Sequence, residues 1–424
     1  MLTKIEALNF RSLRYVSRPL DRFQVLVGPN GSGKSSFLDC VAFVADVLQH
    51  GPLKACQGNG AIAARSGDPA QLVWMRSGRR FEIAIELAIP AELQSRLLGG
   101  PYTVARYEVA VDVGGAEAPL GLAAESLWLI AAEREATPEL QRSLFPSAPD
   151  APETLVFEER KHKRGRRDVV RKLGSSGNDY FRAETSEWNA PFRLGPGRSA
   201  LANLPDDEEK FPVGTWVKRV LQEGVQRVVL DADAMRRPSP PGSARHFLPD
   251  GSNLPWVIEA LRADRSRFEG WIRHLQTALP DLVDVTTVER PEDRHSYLVV
   301  RYANGLEAPS WVVSDGTLRM LALTLFAYIP RQEGVFLIEE PENGIHPQAI
   351  ETVFQSLSSI YDGQVLCASH SPIVLGLASP EQLLCFAKDE HGATDIVAGH
   401  EHPRLRSWQG TLDLGTLFAS GVLG

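Results

Sequence analysis

The sequence predicts an α/β protein whose two ends build one sheet around a large insertion. Short apolar runs at Phe23-Gln24-Val25-Leu26-Val27 and Val335-Phe336-Leu337-Ile338 are typical of strands buried on both faces. Residues 81–87 and 107–113 alternate apolar and polar side chains, as the antiparallel strands of a meander do. We therefore expect a mixed sheet with an antiparallel β meander and an inserted α/β lobe.

The N-terminal segment, residues 1–135, should contain the first strands and one long helix. Ile5 to Phe10 alternates as a half-exposed strand does, and a later strand ends at Val27. After that strand, apolar side chains recur at helical spacing, which predicts an amphipathic helix. These side chains are Phe37, Val41, Val44 and Leu48.

The middle segment, residues 136–245, differs in composition, since Pro, Gly and charged residues dominate its first half. Leu155-Val156-Phe157 and Asp168-Val169-Val170 flank a basic run, which predicts a hairpin with a charged tip. The run is Arg160-Lys161-His162-Lys163-Arg164-Gly165-Arg166-Arg167, with Arg171 and Lys172 close behind. This tip is either a solvated turn or a surface that grips DNA or RNA phosphates without reading bases.

The C-terminal segment, residues 246–424, returns to alternating helices and strands. Apolar spacing predicts helices over 317–329 and 347–361 and strands over 335–338, 365–368 and 383–386. Strands that alternate with helices in this way favour a parallel sheet.

Composition and charge narrow the class of protein. The chain is 43% apolar and 23% charged with a net charge of −8, so any nucleic-acid contact must come from a local basic patch. Its 4 cysteines show neither metal-site spacing nor a disulfide framework, which indicates the reducing cytoplasm. The N-terminus has no apolar signal segment, and the apolar run 320–329 is too short to span a bilayer. We expect a cytoplasmic protein without membrane contact.

A phosphate-binding loop, or P-loop, lies between the strand that ends at Val27 and the helix that follows. The run Gly28-Pro29-Asn30-Gly31-Ser32-Gly33-Lys34-Ser35-Ser36 fits G-x-x-x-x-G-K-[ST]. Glycines let successive N–H groups bend around an anion, Lys34 reaches the β- and γ-phosphates, and the Ser35 hydroxyl can bind Mg²⁺. We expect ATP and Mg²⁺ as cofactors, held by Asn30, Gly31, Ser32, Gly33, Lys34, Ser35 and Ser36.

Two acids follow the apolar strand 335–338, which is the pattern of a Walker B motif. Glu339 is predicted to hold the Mg²⁺ shell and Glu340 to polarise the attacking water. The alternative is a pair of solvated acids at a strand end. A P-loop upstream favours the catalytic interpretation, because phosphoryl transfer needs an acid beside the metal.

Two further motifs are candidates for nucleotide contact. His370, in Ser369-His370-Ser371-Pro372, follows the next strand and is predicted to contact the γ-phosphate rather than to be structural. Ser314-Asp315-Gly316-Thr317 precedes an apolar helix. Ser314 and Gly316 could form an outward-facing anion site, or Ser314 could be a simple helix cap.

Together these motifs resemble the ABC-type ATPase heads of the RecF/SMC class, among the prokaryotic RecF-like AAA family ATPases. They occur in family order, at both ends of the chain. Besides the P-loop, the matching stretches are Asn9-Phe10-Arg11-Ser12-Leu13, Asp250-Gly251-Ser252-Asn253-Leu254, Ser314-Asp315-Gly316-Thr317, Glu339-Glu340-Pro341-Glu342-Asn343-Gly344-Ile345-His346-Pro347 and Ser369-His370-Ser371-Pro372.

The resemblance implies a P-loop NTPase of the ABC/SMC-head type that hydrolyses ATP. Two copies would pair head to tail, with ATP between the P-loop of one and Ser314 of the other. Residues 342–346 would form the D-loop at that interface, and Arg11 would lie near the nucleotide. The Q-loop glutamine on the metal side has two candidates, Gln71, which precedes a predicted strand, and Gln57.

The resemblance also implies a partner. Heads of this kind often serve as the ATPase subunit of bacterial anti-phage defence systems beside a nuclease or another effector. Only 54 residues follow His370 (424 − 370), too few for a nuclease domain of the family's Toprim type. A RecF-like DNA repair factor that clamps DNA and a non-hydrolysing, ATP-dependent scaffold are the alternatives.

Overall fold

The strands and helices come from a computed structural model that describes residues 1–60, 62–115, 119–131, 151–157, 165–173, 179–330 and 334–402. The strands are β1 Leu2–Phe10, β2 Leu13–Pro19, β3 Phe23–Val27, β4 Arg80–Ala88, β5 Tyr102–Asp112, β6 Gly121–Ala131, β7 Arg166–Leu173, β8 Tyr180–Arg182, β9 Asn189–Pro191, β10 Val225–Val228, β11 Leu282–Glu289, β12 Ser296–Tyr302, β13 Glu307–Pro309, β14 Gly334–Glu339, β15 Gly363–Ala368, β16 Leu383–Lys388 and β17 Thr394–Ala398. The helices are α1 Lys34–His50, α2 Pro52–Gln57, α3 Ala91–Gln94, α4 Pro212–Gln222, α5 Ala232–Arg236, α6 Leu254–Arg262, α7 Arg265–Gln276, α8 Asp315–Leu325, α9 Pro347–Ser358 and α10 Pro372–Leu377.

The chain divides into two compact units. The first contains Met1–Asp21, Pro29–Val225 and Phe386–Ile396, and the second contains Arg22–Gly28, Gln226–Cys385 and Val397–Gly424. The inserted lobe over 136–245 and the bounds of the segments on either side stay predictions.

The first unit is built on an eight-stranded sheet in the order β2-β1-β4-β5-β6-β7-β8-β9. The meander predicted from alternating side chains is its centre, since β4, β5 and β6 pair antiparallel in sequence order. Helix α1 buries apolar side chains in this unit. Phe43 on α1 meets Phe10 and Phe81, with ring centroids 5.7 and 5.3 Å away.

The predicted basic hairpin is not formed by the segments expected to flank it. Strand β7 pairs with β6 and β8, and Leu155–Phe157 is not a strand. Buried carboxylates hold that segment instead: Glu82 accepts the N–H groups of Leu155 and Val156, and Glu108 accepts that of Phe157 at 3.0 Å. The predicted tip, Arg160–Arg164, lies outside the described residues.

Two basic residues of the predicted patch point into the protein. The Arg167 side chain is buried and donates hydrogen bonds to the main-chain oxygens of Ala183 and Ser186. Lys172 is also buried, and its ammonium group donates to the carbonyl of Gly195 at 3.1 Å. Neither side chain belongs to an exposed phosphate-binding surface.

A six-stranded sheet in the order β10-β14-β15-β3-β16-β17 organises the second unit. Within this unit β14, β15, β3 and the start of β16 run parallel. All 5 side chains of β3 are buried, and its neighbours come from the C-terminal third of the chain. The prediction that both ends of the chain build one sheet is therefore confirmed.

Helices α6 to α9 contribute side chains to the apolar core of the second unit. Phe354 on α9 packs edge-on against Phe23 of β3, with ring centroids 5.3 Å apart. Trp271 on α7 is fully buried and donates its indole N–H to the Thr324 hydroxyl on α8 at 2.9 Å. Among the residues that the structure describes, no helix is both long and apolar enough to cross a membrane.

Candidate functional site

The candidate site begins at one edge of the parallel sheet in the second unit. Glu339 at the end of β14 is in register with Ala368 at the end of β15, and Ala368 is in register with Leu26 of β3. Adjacent strands lie 4.7–4.9 Å apart, so Glu339 and Leu26 are about 10 Å apart across β15. The sheet thus brings together the strand ends that lead into Glu340, His370 and the P-loop.

Glu340 has a strained backbone at this edge. Its φ angle is 49°, in the left-handed region that non-glycine residues adopt at a cost of about 1–3 kcal/mol. The main chain holds it there, because its N–H donates to the oxygen of Ala368 at 2.8 Å. The half-exposed carboxylate lies beside His370, whose Nε2 is 3.9 Å from Glu340 Oε1. The two side chains for which the sequence predicted roles in ATP hydrolysis, Glu340 and His370, are therefore neighbours in the structure.

The loop that carries His370 is attached to Glu342. One oxygen of Glu342, Oε1, accepts hydrogen bonds from the Ser369 hydroxyl at 2.6 Å and from the N–H groups of His370 and Ser371, both at 3.2 Å. Sequence reasoning assigned Glu342 only to a D-loop at a subunit interface. The family motif gave no signal that its side chain would bind the neighbouring loop.

Glu339 forms an ion pair that the sequence did not indicate. The Arg227 guanidinium on the neighbouring edge strand β10 donates to Glu339 Oε1 at 2.9 Å. Both residues line a pocket of about 360 Å³ that also includes Glu340, Asn343 and Arg319. A carboxylate oxygen is a donor that Mg²⁺ prefers, so Glu339 fits a magnesium site.

No cluster of three or more His, Cys, Asp or Glu side chains suited to a metal ion occurs in the described part of the chain. Magnesium in nucleotide sites does not need such a cluster. It is bound through one or two carboxylates together with substrate phosphates and water. The fit to Mg²⁺ is therefore that of a nucleotide-dependent site.

The P-loop residues of the first unit have the shape of a phosphate cradle. Gly31 and Gly33 have φ angles of 74° and 109°, and a Cβ at Gly33 would lie 2.1 Å from the Thr394 hydroxyl oxygen. The Ser32 hydroxyl is buried and has no hydrogen-bond partner among the described residues. The first turn of α1 carries no acidic residue and no side-chain cap, as at helix N-termini that bind phosphate. These features fit a nucleoside triphosphate.

Two hydroxyl groups support the cradle from outside the motif. Thr394 Oγ1 lies 2.9 Å from the main-chain oxygen of Ser32 and 3.0 Å from Ser12 Oγ. Ser12 in turn donates to the Ser36 hydroxyl at 3.3 Å. Sequence reasoning missed Thr394, because it lies on β17, more than 350 residues from the loop, in no recognisable motif.

Arg11 and Gln71 are the other predicted site residues in the first unit, and the N–H of Arg11 donates to the main-chain oxygen of Leu72, next to Gln71, at 2.8 Å. Arg11 has a φ angle of 53° and forms an ion pair with Asp39 on α1 at 3.0 Å. Gln71 lies in a short 3₁₀ turn, where its side-chain oxygen accepts a hydrogen bond from Ser66. The strand expected after Gln71 is only an isolated bridge between Val73 and Phe10. The nucleotide and metal roles of Arg11 and Gln71 stay predictions, as does the alternative Gln57.

The motif at 314–317 caps α8. Ser314 Oγ accepts the N–H of Thr317 at 3.2 Å, so Ser314 is the N-cap of this helix. Asp315 forms an ion pair with Arg236 of α5. Gly316 packs against the D-loop, since a Cβ at this position would lie 2.5 Å from the main-chain oxygen of Gly344. Ser314 stays exposed, and its role as an anion site is a prediction.

Comparisons with solved structures identify the fold. A structure of the Smc head bound to the C-terminal winged-helix domain of ScpA aligns with a TM-score of 0.53 and 14% identity, over 93% of this chain and 97% of that one. The Smc head of Pyrococcus furiosus with an extended coiled coil, bound to the C-terminal domain of ScpA, aligns with a TM-score of 0.52 and 13% identity, over 93% and 95%. The predicted ABC/SMC-head fold is confirmed.

Sequence comparison gives a short match and a long one. The chromosome partition protein Smc of Methanocaldococcus jannaschii is 39% identical over 70 residues, which are 16% of this chain and 6% of that protein. The long match is to the family described as "AAA domain, putative AbiEii toxin, Type IV TA system", which covers residues 23–376. Because this match spans most of the chain, including the P-loop helix, Glu339, Glu340 and His370, the protein belongs to that AAA domain family and has an ATPase fold of the SMC-head type.

Proposed function

We propose that this protein binds ATP with Mg²⁺ and hydrolyses it. The observation that carries the proposal is Glu340, a strained acid beside His370 at the carboxyl edge of the parallel sheet. Strained backbone persists where the surrounding structure enforces it, and it occurs preferentially at active sites. A solvated strand end would need neither the left-handed backbone nor the adjacent imidazole.

Each residue has a distinct part in the proposed reaction. Lys34 and the N–H groups of the P-loop bind the phosphates, and Glu340 orients the attacking water and accepts its proton. His370 donates a hydrogen bond to the γ-phosphate. The metal, when bound, neutralises charge that develops on the phosphate oxygens, and Glu339 and Ser35 supply oxygen atoms to its shell.

A second copy of the chain would complete the site. In this proposal Ser314 and Gly316, at the exposed N-terminus of α8, face the nucleotide of the partner copy. A helix N-terminus attracts anions because its N–H groups and dipole present positive charge. The paired heads would pass ATP-dependent closure to an effector. Smc heads bound to ScpA illustrate that heads of this fold can carry a partner protein.

The biological setting we propose is anti-phage defence with a nuclease or another effector. The family description, which names a putative AbiEii toxin, is in keeping with a defence role. Contact with DNA or RNA would have to use the run 160–164 together with Arg166 and Arg171, because Arg167 and Lys172 point inward. Clamping of gapped or ended DNA without an effector would favour a RecF-like repair factor instead.

The test of hydrolysis compares the purified chain with Glu340→Gln. We expect phosphate release to fall at least about 100-fold, the usual effect of removing a general base, while ATP binding persists. Glu351→Gln, an exposed acid on α9, is the matched control and should hydrolyse at the native rate. Native turnover in Glu340→Gln contradicts the assignment. Undetectable turnover in the native chain, with and without DNA, supports the scaffold alternative.

The test of pairing uses the trapped variant. Glu340→Gln with ATP should elute at twice the monomer mass in light-scattering chromatography. Adding Ser314→Asp should abolish this shift, because Asp still caps α8 but places a negative charge opposite the partner's phosphates. A double variant that still dimerises with ATP would show that Ser314 does not face a nucleotide.

A further inference from the structure

Glu342 connects the two strand ends that carry the proposed catalytic groups. It lies two residues after Glu340, in a turn that is closed by a main-chain hydrogen bond. The N–H of Asn343 donates to the main-chain oxygen of Glu340 at 2.9 Å. Its side chain reaches the loop after β15 and accepts hydrogen bonds there from Ser369, His370 and Ser371. The carboxylate therefore fixes the His370 backbone relative to the turn that contains Glu340.

We propose that Glu342 is a positioning residue for His370, and that it acts through this histidine rather than on the nucleotide. This inference rests on the proposed ATP hydrolysis. Three donors on one carboxylate oxygen leave the 369–371 loop little freedom, because hydrogen bonds to a charged acceptor are stronger than neutral ones. Held in this way, the imidazole stays 3.9 Å from the Glu340 carboxylate.

The second oxygen of Glu342 argues against a purely structural role. Oε2 is buried and has no hydrogen-bond partner among the described residues. A buried, unsatisfied carboxylate oxygen destabilises the fold. If the side chain served stability alone, a neutral group that satisfies the same three donors would serve better. The charge is therefore retained for the site.

The experiment is a double-mutant cycle on the full chain with four enzymes: the native protein, Glu342→Leu, His370→Ala and the double variant. Leu keeps the approximate volume of Glu342 but accepts no hydrogen bond. We expect Glu342→Leu to lower kcat by about 10-fold or more, with ATP affinity, measured by fluorescent-nucleotide titration, within about twofold of native. In the His370→Ala background the same change should have no further effect, because residues that act as one unit are not additive.

Two conservative variants keep the test decisive if Glu342→Leu fails to fold. Glu342→Gln retains an acceptor oxygen but loses the charge, so its kcat should lie between those of the native chain and Glu342→Leu. Ser369→Ala removes one of the three donors and should also lower kcat less than Glu342→Leu. Both effects should vanish when His370 is Ala. Glu351→Gln is again the control.

The outcomes separate this inference from the proposed function. Multiplicative losses in the double variant, a native kcat in Glu342→Leu or Ser369→Ala, or a loss of ATP affinity equal to the loss of kcat would overturn the positioning role. If Glu340→Gln abolishes turnover as expected while any of these results is obtained, only the inference on Glu342 fails. If the native chain shows no turnover, the proposed function itself fails.

Discussion

The ammonium nitrogen of Lys34 lies 3.0 Å from the main-chain oxygen of Pro29, to which it donates a hydrogen bond. The lysine at the start of α1 thereby closes the loop that precedes its own helix. A side chain held over the cradle is preordered to meet phosphate oxygens, so less conformational entropy is lost when a nucleotide binds.

Lys34→Ala should therefore remove ATP binding. The variant loses both the cation and the bridge to Pro29, and we expect affinity in a fluorescent-nucleotide titration to fall at least about 100-fold, the scale of a lost hydrogen-bonded charge contact. Lys54→Ala on α2, an exposed lysine, is the control and should bind normally. Equal affinity in the native chain and Lys34→Ala would exclude Lys34 from the binding site.

Thr394→Val should weaken both the cradle and the fold. Val keeps the shape of Thr394 but leaves the Ser32 oxygen without the hydroxyl partner 2.9 Å away. An unsatisfied buried group costs about 1–3 kcal/mol, which chemical denaturation should detect as a loss of stability. If half of that cost arises only in the ATP-bound state, ATP affinity should fall by about 2- to 10-fold. Thr394→Ser keeps the hydroxyl and should restore both quantities; a Val variant with native affinity would contradict the supporting role.

Gly316→Ala should disturb the packing of α8 against the D-loop. The added Cβ would lie 2.5 Å from the rigid main-chain oxygen of Gly344, and overpacking of this kind costs about 1–3 kcal/mol. We expect a lower melting temperature and, in the Glu340→Gln background, loss of the ATP-dependent dimer. Gly67→Ala has open space around its Cβ and is the control. A native melting temperature in Gly316→Ala would show that α8 can shift without cost.

Arg227→Met should change the dependence on magnesium. The Arg227 guanidinium competes for Glu339 Oε1 and repels a nearby cation, so its removal should tighten Mg²⁺ binding. We expect the Mg²⁺ concentration that half-saturates nucleotide fluorescence to fall by about 3- to 10-fold, with nucleotide binding in EDTA unchanged. Arg273→Met on α7 changes an exposed arginine and should leave the titration as it is. An unchanged titration in Arg227→Met would mean that Glu339 does not serve the metal.

The pH dependence of stability should carry the signature of Glu184. This buried carboxyl accepts the N–H groups of Val213 and Gly214 at the start of α4, and burial raises its pKa to about 7. Between the ordinary carboxyl pKa of 4.5 and about 7 the folded state binds more protons than the unfolded state, so the free energy of unfolding falls as pH rises through that window. Over this pH window the ionisation of Glu184 should lower the free energy of unfolding by about 3 kcal/mol, since a pKa difference of one corresponds to about 1.36 kcal/mol.

Glu184→Gln removes that titration and provides the measurement. The free energy of unfolding of the native chain minus that of the variant should fall as pH rises from about 4.5 to about 7 and then level off. A difference that is constant across this range would show that Glu184 stays ionised in the fold.

The sequence predicted the parts of the molecule in which local pattern and chemistry agree. β3 and α1 were recognisable because an apolar run, a glycine motif and helical spacing follow one another without a gap. The acids at 339 and 340 could be identified because an apolar strand led directly into them. The left-handed backbone of Glu340 could not be predicted, because it depends on a hydrogen bond to Ala368 in a different strand.

The errors and omissions come from long-range contacts. Leu155–Phe157 has the composition of a strand, but Glu82 and Glu108, which lie more than 45 residues earlier, bind its N–H groups and prevent pairing with β7. The sequence places Arg167 in a basic surface patch, but in the structure its side chain is buried and donates to the main-chain oxygen of Ala183. Thr394 has no motif around it, and only the three-dimensional fold brings it to Ser32.

The positive φ angle of Glu340 implies that thermal stability and the proposed ATP turnover place opposite demands on this position. Glycine adopts the left-handed conformation without strain, so Glu340→Gly should make the chain more heat-resistant while it removes the proton acceptor. A screen that rewards survival at high temperature alone would then select a chain without the proposed catalytic acid. Any effort to stabilise this protein for use would therefore have to leave residue 340 unchanged.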